Sequence, residues 1–366
     1  MKPAKKIIFI HLFNDFSGSP LVLSNVVRGI QNYGYECKVI TSGNTEGFLS
    51  NIEGVDYNFF NYRFNPNKLV RLALFFWSQV ILFLKIWNTR KEKSIIYINT
   101  LLPFGAALAG WLSGQKVIYH VHEISLKPLI LKRFLKWIAT ITSDYSIYVS
   151  EYLRATEKLQ NVKGTTIHNA LSDIFMETAE SYKLDTAAKH ETFTVLMLCS
   201  LKAYKGVNEF VTLAEKLPQI NFTMVINSDQ LSIDEYFKTI QLPTNLQLFS
   251  SQKNVHPFYQ KSHIVLNLSH PEQWVETFGM TILEGMYYGL PCIAPPIGGP
   301  TEIINNAING YLIDQRNLDD IADRIIELSN NKTLYKAFSQ NASGRSLEFK
   351  FDVNIRQINK ILTFKL

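Results

Sequence analysis

The sequence predicts an α/β protein of two Rossmann-like domains whose parallel sheets face a central cleft. A chain of 366 residues, 46% hydrophobic and 19% charged, is long enough for two ordinary domains and apolar enough to bury a core in each. Short apolar runs alternate with helical patterns, which favours parallel strands covered on both faces. The alternation restarts near residue 193, which predicts the second domain.

The first half contains six apolar runs typical of buried strands. The first, at 5–12, is followed by the turn-like sequence NDFSGSP and a helical stretch at 21–34. The other runs lie at 37–43, 94–100, 116–123, 145–150 and 165–170. Because polar residues do not alternate along them, they resemble strands buried on both faces. We therefore expect one parallel sheet within a domain at 1–172.

The second half repeats this plan. Its strand-like runs lie at 193–200, 221–227, 246–250, 263–269 and 291–296. They predict a second sheet within a domain at 190–348. The polar stretch 176–191 has the composition of a loop or linker. The final segment, 349–366, is helix-like and follows the last obvious helix of the second domain.

Charge is distributed unevenly along the chain. Residues 1–172 contain 20 Lys and Arg against 10 Asp and Glu, whereas the whole chain has a formal net charge of only +6. A basic first half predicts an anionic partner, either a phosphate-bearing substrate or a membrane surface. Three cysteines far apart exclude a disulfide framework and a cysteine-based zinc site, and they favour a reducing cytosol.

Two apolar segments resemble membrane-targeting sequences. The run 7–13 is short and leads into a turn, so a first buried strand is a better interpretation than a signal peptide. The segment 69–87 is long enough to raise the question of a membrane span, but Arg71, Gln79 and Lys85 interrupt it. We expect this segment to form a helix largely buried against a sheet.

The segment 270–304 has the clearest chemical pattern. Glu276 and Glu284 are separated by seven residues that begin with a turn and continue as a helix. The turn and helix start, which we expect to bind a ligand, are Thr277, Phe278, Gly279 and Met280. Glycine lets the backbone approach a ligand, and the free N–H groups of a helix start bind phosphate or sugar hydroxyls. Glu284, near the first helical turn, suits a ribose diol, and Glu276 suits a hexose.

This segment resembles the donor-site signature of the retaining glycosyltransferases of family 4, which have the GT-B fold of two Rossmann-like domains. The signature has the two spaced glutamates with Phe-Gly between them, then Gly-x-Pro and Gly-Gly-x-x-Glu, and residues 276–302 match it except that Gly285 replaces the usual alanine. Segments 149–157, 167–175 and 309–314 are also similar to the family. The resemblance implies that 349–366 forms a helix that crosses back to the first domain.

The loop at 198–206 is the second candidate donor contact. Its Lys205 follows an apolar strand, where a cation can neutralise a departing diphosphate, and the resemblance assigns Lys205 that role. The family usually has an arginine five residues earlier. Here that position is Ser200, so half of the expected cationic clamp is missing. Lys202 is interpreted as a surface lysine.

The first domain contributes a histidine and a glycine to the predicted site. The resemblance places His122, beside Glu123, near the transferred sugar, and Gly18 in a loop near the donor phosphates and the acceptor. His120 and His122 lie on one side of a strand. No third metal ligand is evident, so we predict no metal site, and His120 is also compatible with a core histidine.

The resemblance implies transfer of a hexose-type sugar from a nucleotide sugar to an acceptor hydroxyl with retained configuration. No Asp-x-Asp motif occurs, in agreement with an enzyme that needs no metal or other cofactor. The leaving phosphate then accepts the acceptor's proton, so the candidate catalytic residues His122, Lys205 and Glu276 include no general base. Two alternatives stay open: a non-catalytic homologue that binds a nucleotide sugar or a partner enzyme, and a nucleotide-sugar epimerase or hydrolase.

The acceptor is predicted from the basic amphipathic segment 124–140, in which four cations alternate with large apolar residues. Such a helix can lie on an anionic membrane, or it can pack its apolar face on its own sheet. With the basic first half, it predicts a lipid-linked, phosphate-bearing glycan acceptor of surface polysaccharide synthesis. We therefore expect a cytoplasmic protein, peripheral on the inner membrane. No nucleic-acid-reading motif occurs, so we predict no nucleic-acid partner.

Overall fold

The computed structural model of the chain describes residues 6–43, 46–62, 65–183 and 192–363. The chain divides into two compact units. The first unit consists of Met1–His168 and Asp352–Leu366, and the second of Asn169–Phe351. The sequence predicts bounds of 1–172 and 190–348, with 349–366 assigned to the first domain.

The first unit contains a seven-stranded parallel sheet. Its strands are β1 (Lys6–Phe13), β2 (Glu36–Ser42), β3 (Asp56–Phe60), β4 (Ile95–Asn99), β5 (Lys116–Val121), β6 (Tyr145–Tyr148) and β7 (Gly164–Thr166). Their order is β3-β2-β1-β4-β5-β6-β7. The edge strand β3 was not predicted, because its half-exposed sequence DYNFF lacks the apolar run of a central strand. The strand predicted at 165–170 is shorter, since pairing with β6 ends at Thr166.

Five helices of the first unit connect these strands. They are α1 (Gly18–Gln31), α2 (Lys68–Trp87), α3 (Phe104–Leu112), α4 (Leu129–Thr142) and α5 (Glu151–Glu157). The prediction that the α2 segment is largely buried against a sheet is wrong. Only five of its twenty residues are buried, and its main packing partner is α3. The apolar residues of the opposite side are exposed.

The second unit contains a six-stranded parallel sheet. Its strands are β8 (Thr194–Ser200), β9 (Asn221–Asn227), β10 (Leu246–Phe249), β11 (Ile264–Leu266), β12 (Cys292–Ala294) and β13 (Gly310–Leu312). Their order is β10-β9-β8-β11-β12-β13. The edge strand β13 was not predicted, because its sequence GYL begins with a glycine and contains only two apolar residues.

The helices of the second unit include one inside the predicted linker. They are α6 (Asp173–Lys183), a 3-10 helix (Ala203–Lys205), α7 (Val207–Lys216), α8 (Gln230–Phe237), α9 (His256–Lys261), α10 (Met280–Tyr287), α11 (Pro300–Ile303), α12 (Leu318–Asn330) and α13 (Lys332–Ser346). The linker prediction is therefore wrong for 176–183. Contacts within the unit order this polar helix, such as the hydrogen bond from the Tyr287 hydroxyl to Glu180. Residues 184–191 lie outside the described residues.

The last helix, α14 (Phe351–Thr363), packs into the first unit although it follows the second in sequence. It buries Ile355, Ile358, Ile361 and Leu362. A Cβ atom on Gly29 of α1 would lie 2.5 Å from the Ile355 side chain, so glycine permits this close packing. The Asn354 amide adds a hydrogen bond of 2.6 Å to the His168 carbonyl oxygen.

The strand order reverses once in each sheet, between β1 and β4 in the first unit and between β8 and β11 in the second. In open parallel sheets, ligands bind beyond the carboxyl ends of the strands at such a reversal. The predicted fold class of two Rossmann-like units with parallel sheets is confirmed. We therefore expect the candidate site residues to lie beyond the strand ends at these two reversals.

Candidate active site

Lys205 and Glu276 meet at the reversal in the second sheet. Lys205 ends the 3-10 helix that follows β8, and Glu276 lies in the loop that follows β11. The Lys205 Nζ lies 3.1 Å from the Glu276 Oε2, and both side chains are largely covered. Because neighbouring parallel strands end at the same edge, loops 71 residues apart bring these two groups together.

Trp274 forms one wall beside this ion pair. The Lys205 Nζ lies 5.3 Å from the Trp274 ring centroid, within range of a cation–π interaction. The Trp274 ring stacks on Tyr204, with centroids 5.8 Å apart. The aromatic pair therefore fixes the position of the ammonium group, and an aromatic surface lies next to the candidate charges.

The predicted turn and helix start lie directly after Glu276. Gly279 has a φ of +108°, which most side chains would not tolerate, and α10 begins at Met280. The first backbone N–H groups of a helix have no partner within it and carry partial positive charge. Thr277 and Phe278 occupy the turn itself, where Phe278 is buried. The loop thus directs a helix N-terminus to the same sheet edge as Lys205.

The glycine pair of the sequence signature braces this loop. The Gly299 N–H donates a hydrogen bond of 2.8 Å to the Glu276 carbonyl oxygen. A Cβ atom on Gly299 would lie 2.2 Å from the Phe278 Cα, and one on Gly298 would lie 2.3 Å from the Glu276 carbonyl oxygen. The pair is needed because the two backbones pack without room for a side chain.

Glu284 is buried and lies one helical turn later than predicted from the sequence. It is the fifth residue of α10 and so lies in the second helical turn, and it is only 7% exposed. The Tyr259 hydroxyl donates a hydrogen bond of 2.6 Å to its Oε2. Burial raises the pKa of Glu284 to about 7, although the Tyr259 hydrogen bond opposes this shift. A ligand hydroxyl that donates to this carboxylate would favour its ionised form.

Ser200 occupies the position at which the family usually has an arginine. Ser200 ends β8, and its carbonyl oxygen accepts a hydrogen bond of 2.7 Å from the Lys202 N–H. The Lys202 side chain is exposed, as predicted for a surface lysine. Of the two lysines in the described loop after β8, Lys205 is the one whose ammonium group is held at the sheet edge, by its ion pair with Glu276.

In the first unit, Asn99 connects the residues at the sheet reversal. The Asn99 Nδ2 donates to the Ser19 carbonyl oxygen at 3.1 Å and lies 3.0 Å from the His11 Nδ1. Its Oδ1 lies 2.9 Å from the His122 Nε2. A carbonyl oxygen only accepts, so the Ser19 contact fixes the amide orientation, and His122 donates through Nε2.

This arrangement determines what His122 offers to a ligand. Burial lowers the pKa of His122 well below its usual value, and the neighbouring His120 and His11 lower it further. A neutral ring that donates through Nε2 has an unprotonated Nδ1, which accepts a hydrogen bond. An acceptor nitrogen suits a sugar hydroxyl, and the ring offers it in the neutral form, without the second proton of an imidazolium.

The adjacent His120 is buried, and Glu123 is half-buried. Burial raises the pKa of Glu123 to about 7, although its hydrogen bonds from the Leu101 and His122 N–H groups oppose the shift. Burial lowers the pKa of His120 to about 3, and its Nδ1 lies 2.9 Å from the Tyr97 hydroxyl. Within the described ranges, no three His, Cys, Asp or Glu side chains are grouped to hold a metal ion.

Gly18 is the first residue of α1, directly after the turn that follows β1. A Cβ atom there would meet no described atom within 4 Å, so the space beside the helix start is open. Asn99 joins this helix start to His122 through the Ser19 carbonyl oxygen. The structure therefore brings two of the predicted residues to one end of the first sheet.

Three residues of these arrangements were missed by sequence reasoning. Trp274 lies two residues before Glu276, and an aromatic residue beside the signature was the available signal. Asn99 ends a strand at the reversal, and the sequence signal was a polar residue directly after the apolar run IIYI. Tyr259 carries no sequence signal, because its contact with Glu284 depends on the packing of α9 against α10.

Residues 179–345 match the family described as Glycosyl transferases group 1, and this range includes the Lys205 loop and the whole of 276–302. This range lies within the second unit, which is therefore similar to the group 1 glycosyl transferases, and the whole chain has the GT-B fold. The suspected resemblance is thereby confirmed at the level of the group and the fold.

The chain is similar to glycosyltransferases in sequence and to solved structures in fold. An uncharacterized glycosyltransferase of Haemophilus influenzae is 23% identical over 98% of this chain and 100% of its own. The N-acetyl-alpha-D-glucosaminyl L-malate synthase of Bacillus anthracis is 24% identical over 69% of this chain and 70% of its own. Anabaena HepE, solved with UDP and glucose, has a TM-score of 0.79, 18% identity and coverage of 99% and 100%.

Proposed function

We propose that this glycosyltransferase moves a hexose from a nucleotide sugar to a hydroxyl of a glycan acceptor with retention of configuration. The observation that carries the proposal is the grouping of Lys205, Glu276 and the α10 N-terminus at one sheet reversal. A cation and free N–H groups suit a diphosphate, and a carboxylate beside them suits sugar hydroxyls.

The proposed reaction exchanges one bond at the anomeric carbon. The bond to the donor phosphate breaks while the bond to the acceptor oxygen forms on the same face, and the leaving phosphate takes the acceptor's proton. Lys205 and the helix N–H groups stabilise the charge that develops on the diphosphate. Glu276 and His122 hold sugar hydroxyls, and no side chain acts as a general base.

We propose further that the reaction needs no metal ion or other cofactor. The ammonium of Lys205 and the helix N-terminus supply positive charge that a divalent cation supplies in other transferases. Chelator-treated protein should therefore transfer sugar at the untreated rate, and Mg²⁺ or Mn²⁺ should not increase it. A tenfold loss on chelation that a metal restores would contradict this part of the proposal.

The donor is proposed to carry UDP, and the acceptor to be a lipid-linked glycan of surface polysaccharide synthesis. HepE has been solved in complexes with UDP and with UDP-glucose, which supports a uridine nucleotide. The lipid-linked acceptor is supported by the exposed apolar and basic side chains of the first unit.

The first experiment is a thermal-shift panel of UDP, GDP, ADP, CMP and their common sugars. A ligand at 100 times its dissociation constant stabilises the protein by about 2.7 kcal/mol, which gives a clear shift. Glu284→Gln keeps a partner for the Tyr259 hydroxyl but removes the carboxylate, so its shift should be smaller. A shift from uridine nucleotides alone supports the donor, and an equal shift in Glu284→Gln contradicts the site.

A non-catalytic, nucleotide-sugar-binding role is the second candidate, and Ser200 favours it because the usual arginine is absent. Transfer assays with Ser200→Arg and wild type distinguish the two. If wild type binds the donor but transfers no sugar to any acceptor, the second candidate is correct. Sugar released or epimerised without an acceptor would indicate a hydrolase or an epimerase.

A further inference from the structure

The outer face of α2, α3 and α4 exposes many large apolar side chains. Of the 22 exposed large apolar residues among those the structure describes, 13 lie on these three helices. The most prominent are Leu69, Trp77 and Leu84 on α2, Trp111 on α3, and Ile130 and Trp137 on α4. Soluble monomers rarely expose contiguous apolar patches larger than a few hundred Å² without a partner for them.

Aromatic contacts join the three helices into one surface. The Phe76 ring of α2 lies 6.0 Å from Phe104 of α3 and 6.4 Å from Phe134 of α4, between centroids. Phe134 in turn lies 6.3 Å from Trp137. Phe76 and Trp137 are themselves exposed, so the apolar stripes of α2 and α4 are neighbours. We call this surface the α2–α4 face.

The charge of the α2–α4 face has one sign. The three helices contain six Lys or Arg residues and no Asp or Glu. Lys68 and Arg133 are exposed and form no ion pair within the described residues. A surface that combines exposed apolar side chains with unneutralised cations is complementary to an anionic lipid headgroup region.

Two of the cations predicted to face a membrane have another role. The Nζ atoms of Lys132 and Lys136 lie 2.5 and 3.0 Å from the carboxylate oxygens of the buried Glu157. They therefore anchor α4 to its own domain, as the alternative interpretation of 124–140 required. Arg133 lies between them in sequence and remains on the exposed side, with Ile130 and Trp137.

Tryptophan is concentrated in these helices. Four of the five tryptophans of the chain, Trp77, Trp87, Trp111 and Trp137, lie on α2, α3 or α4. The indole ring combines an apolar body with a polar N–H group, so tryptophan is enriched where hydrocarbon meets headgroups.

We propose that the α2–α4 face docks on the surface of an anionic lipid bilayer, with α2 lying in the plane of the interface. Such docking would hold the whole protein at the membrane surface. It does not depend on the acceptor proposed above.

Among the helices of the described residues, α2 is the one that is long and apolar enough to cross a membrane, by length and composition. Its inner side, however, is part of the fold. The Gly105 N–H of α3 donates to the Gln79 Oε1 at 3.1 Å, and a Cβ atom on Gly105 would lie 2.0 Å from the Gln79 carbonyl oxygen. Spanning would break this packing and leave buried polar groups unpaired, whereas lying on the interface preserves it.

A lipid surface also fits this face better than a second copy of the chain. A symmetric dimer places the same patch on both partners. The α2–α4 face of one copy would then bring its cations against those of the other with no acidic group on these helices to neutralise them. Like charges in a desolvated interface oppose association.

Vesicle flotation of the full chain tests the proposal without any donor sugar. Vesicles of phosphatidylcholine mixed with phosphatidylglycerol should bind the protein, and vesicles of phosphatidylcholine alone should bind it weakly. The double variant Leu69→Glu and Ile130→Glu changes two side chains that are 79% and 80% exposed. It should weaken binding at least about tenfold, because two apolar side chains no longer enter the interface and two negative charges face the anionic lipid.

Leu231→Glu is the matched control, because Leu231 is 81% exposed but lies on α8 of the second unit. It should bind anionic vesicles as wild type does. If the double variant has a lower melting temperature than wild type, Trp137→Ser replaces it in the comparison. Equal binding by wild type and face variants, or no binding to anionic vesicles, would overturn the proposal. If wild type forms a dimer but binds no vesicles, and the face variants are monomeric, the face is instead an interface between two copies of the chain.

Discussion

Lys205 and Glu276 form an ion pair at the sheet edge where the donor diphosphate is proposed to bind, with Nζ 3.1 Å from Oε2. The pair means that each charge is already matched by a protein group. An incoming diphosphate therefore gains the Lys205 ammonium and is repelled by the Glu276 carboxylate. The two residues should consequently have opposite effects on nucleotide affinity.

Glu276→Gln should bind UDP about two- to fivefold more tightly than wild type, because the nearby like charge is removed at a partly screened site. Sugar transfer should nevertheless fall at least about a hundredfold, since the proposed sugar-holding carboxylate is lost. Titration calorimetry and a transfer assay measure the two effects. Unchanged transfer would remove Glu276 from the catalytic residues.

Lys205→Ala should weaken UDP binding by about tenfold or more, since a charge-assisted hydrogen bond contributes roughly 1.5–3 kcal/mol. Lys202→Ala removes a lysine three positions away whose side chain is exposed. Its dissociation constant should stay within about twofold of wild type, as for a surface lysine. If both variants lose affinity equally, the assignment of the phosphate contact to Lys205 is wrong.

Gly299→Ala should destabilise the second unit by about 2–4 kcal/mol, because the new Cβ atom would lie 2.2 Å from the Phe278 Cα and backbone atoms cannot move aside cheaply. Gly344→Ala in α13 is the matched control, since a Cβ atom there meets nothing within 4 Å. It should stabilise the protein by roughly 0.5–1 kcal/mol. Urea denaturation compares the two, and similar values would show that the loop does not need its glycine.

Asn99→Ala should lower kcat about ten- to a hundredfold with little change in UDP affinity, because it releases the His122 ring and leaves the donor contacts of the second unit intact. Asn354→Ala also removes a buried amide of the first unit, one that bonds the His168 carbonyl oxygen. That control should lower stability without changing kcat. A parallel loss of kcat in both variants would reduce Asn99 to a structural role.

Glu284 should make stability depend on pH. Burial raises its pKa to about 7, so between its usual pKa near 4.5 and about 7 the folded protein keeps a proton that the unfolded chain loses. The free energy of unfolding therefore falls as pH rises through this window, by at most about 3 kcal/mol from this group. Glu284→Gln should remove that part of the fall, as denaturation at pH 5 and pH 7.5 would show. An identical pH dependence in both proteins would contradict the protonated, buried carboxyl.

Sequence reasoning predicted the central strands because strands buried on both faces consist of continuous apolar residues. It missed β3 and β13, which lie at sheet edges, because β3 is partly polar and β13 contains only two apolar residues. Composition shows that α2 is apolar on all sides without showing which side is covered. That depends on α3, which packs on one side and leaves the other exposed.

The candidate site was predictable where the signature is continuous in sequence, from Glu276 through Glu284. The burial of Glu284 was not, since Tyr259 of another helix creates its environment. Nor was the link from His11 of β1 through Asn99 of β4 to His122 directly after β5, in which side chains up to 88 residues apart meet. Contacts of this kind arise from strand order, which a single sequence does not specify.

The return of α14 to the first unit imposes an order on biosynthesis. The strands of that unit leave the ribosome early, but α14, whose Ile355 packs on Gly29, is translated only after all of Asn169–Phe351. At typical elongation rates of about 5–20 residues per second, the nascent unit waits roughly 10–40 s for its last helix. During that interval the apolar surface that α14 covers is accessible to chaperones. The second unit can therefore fold before the first is complete.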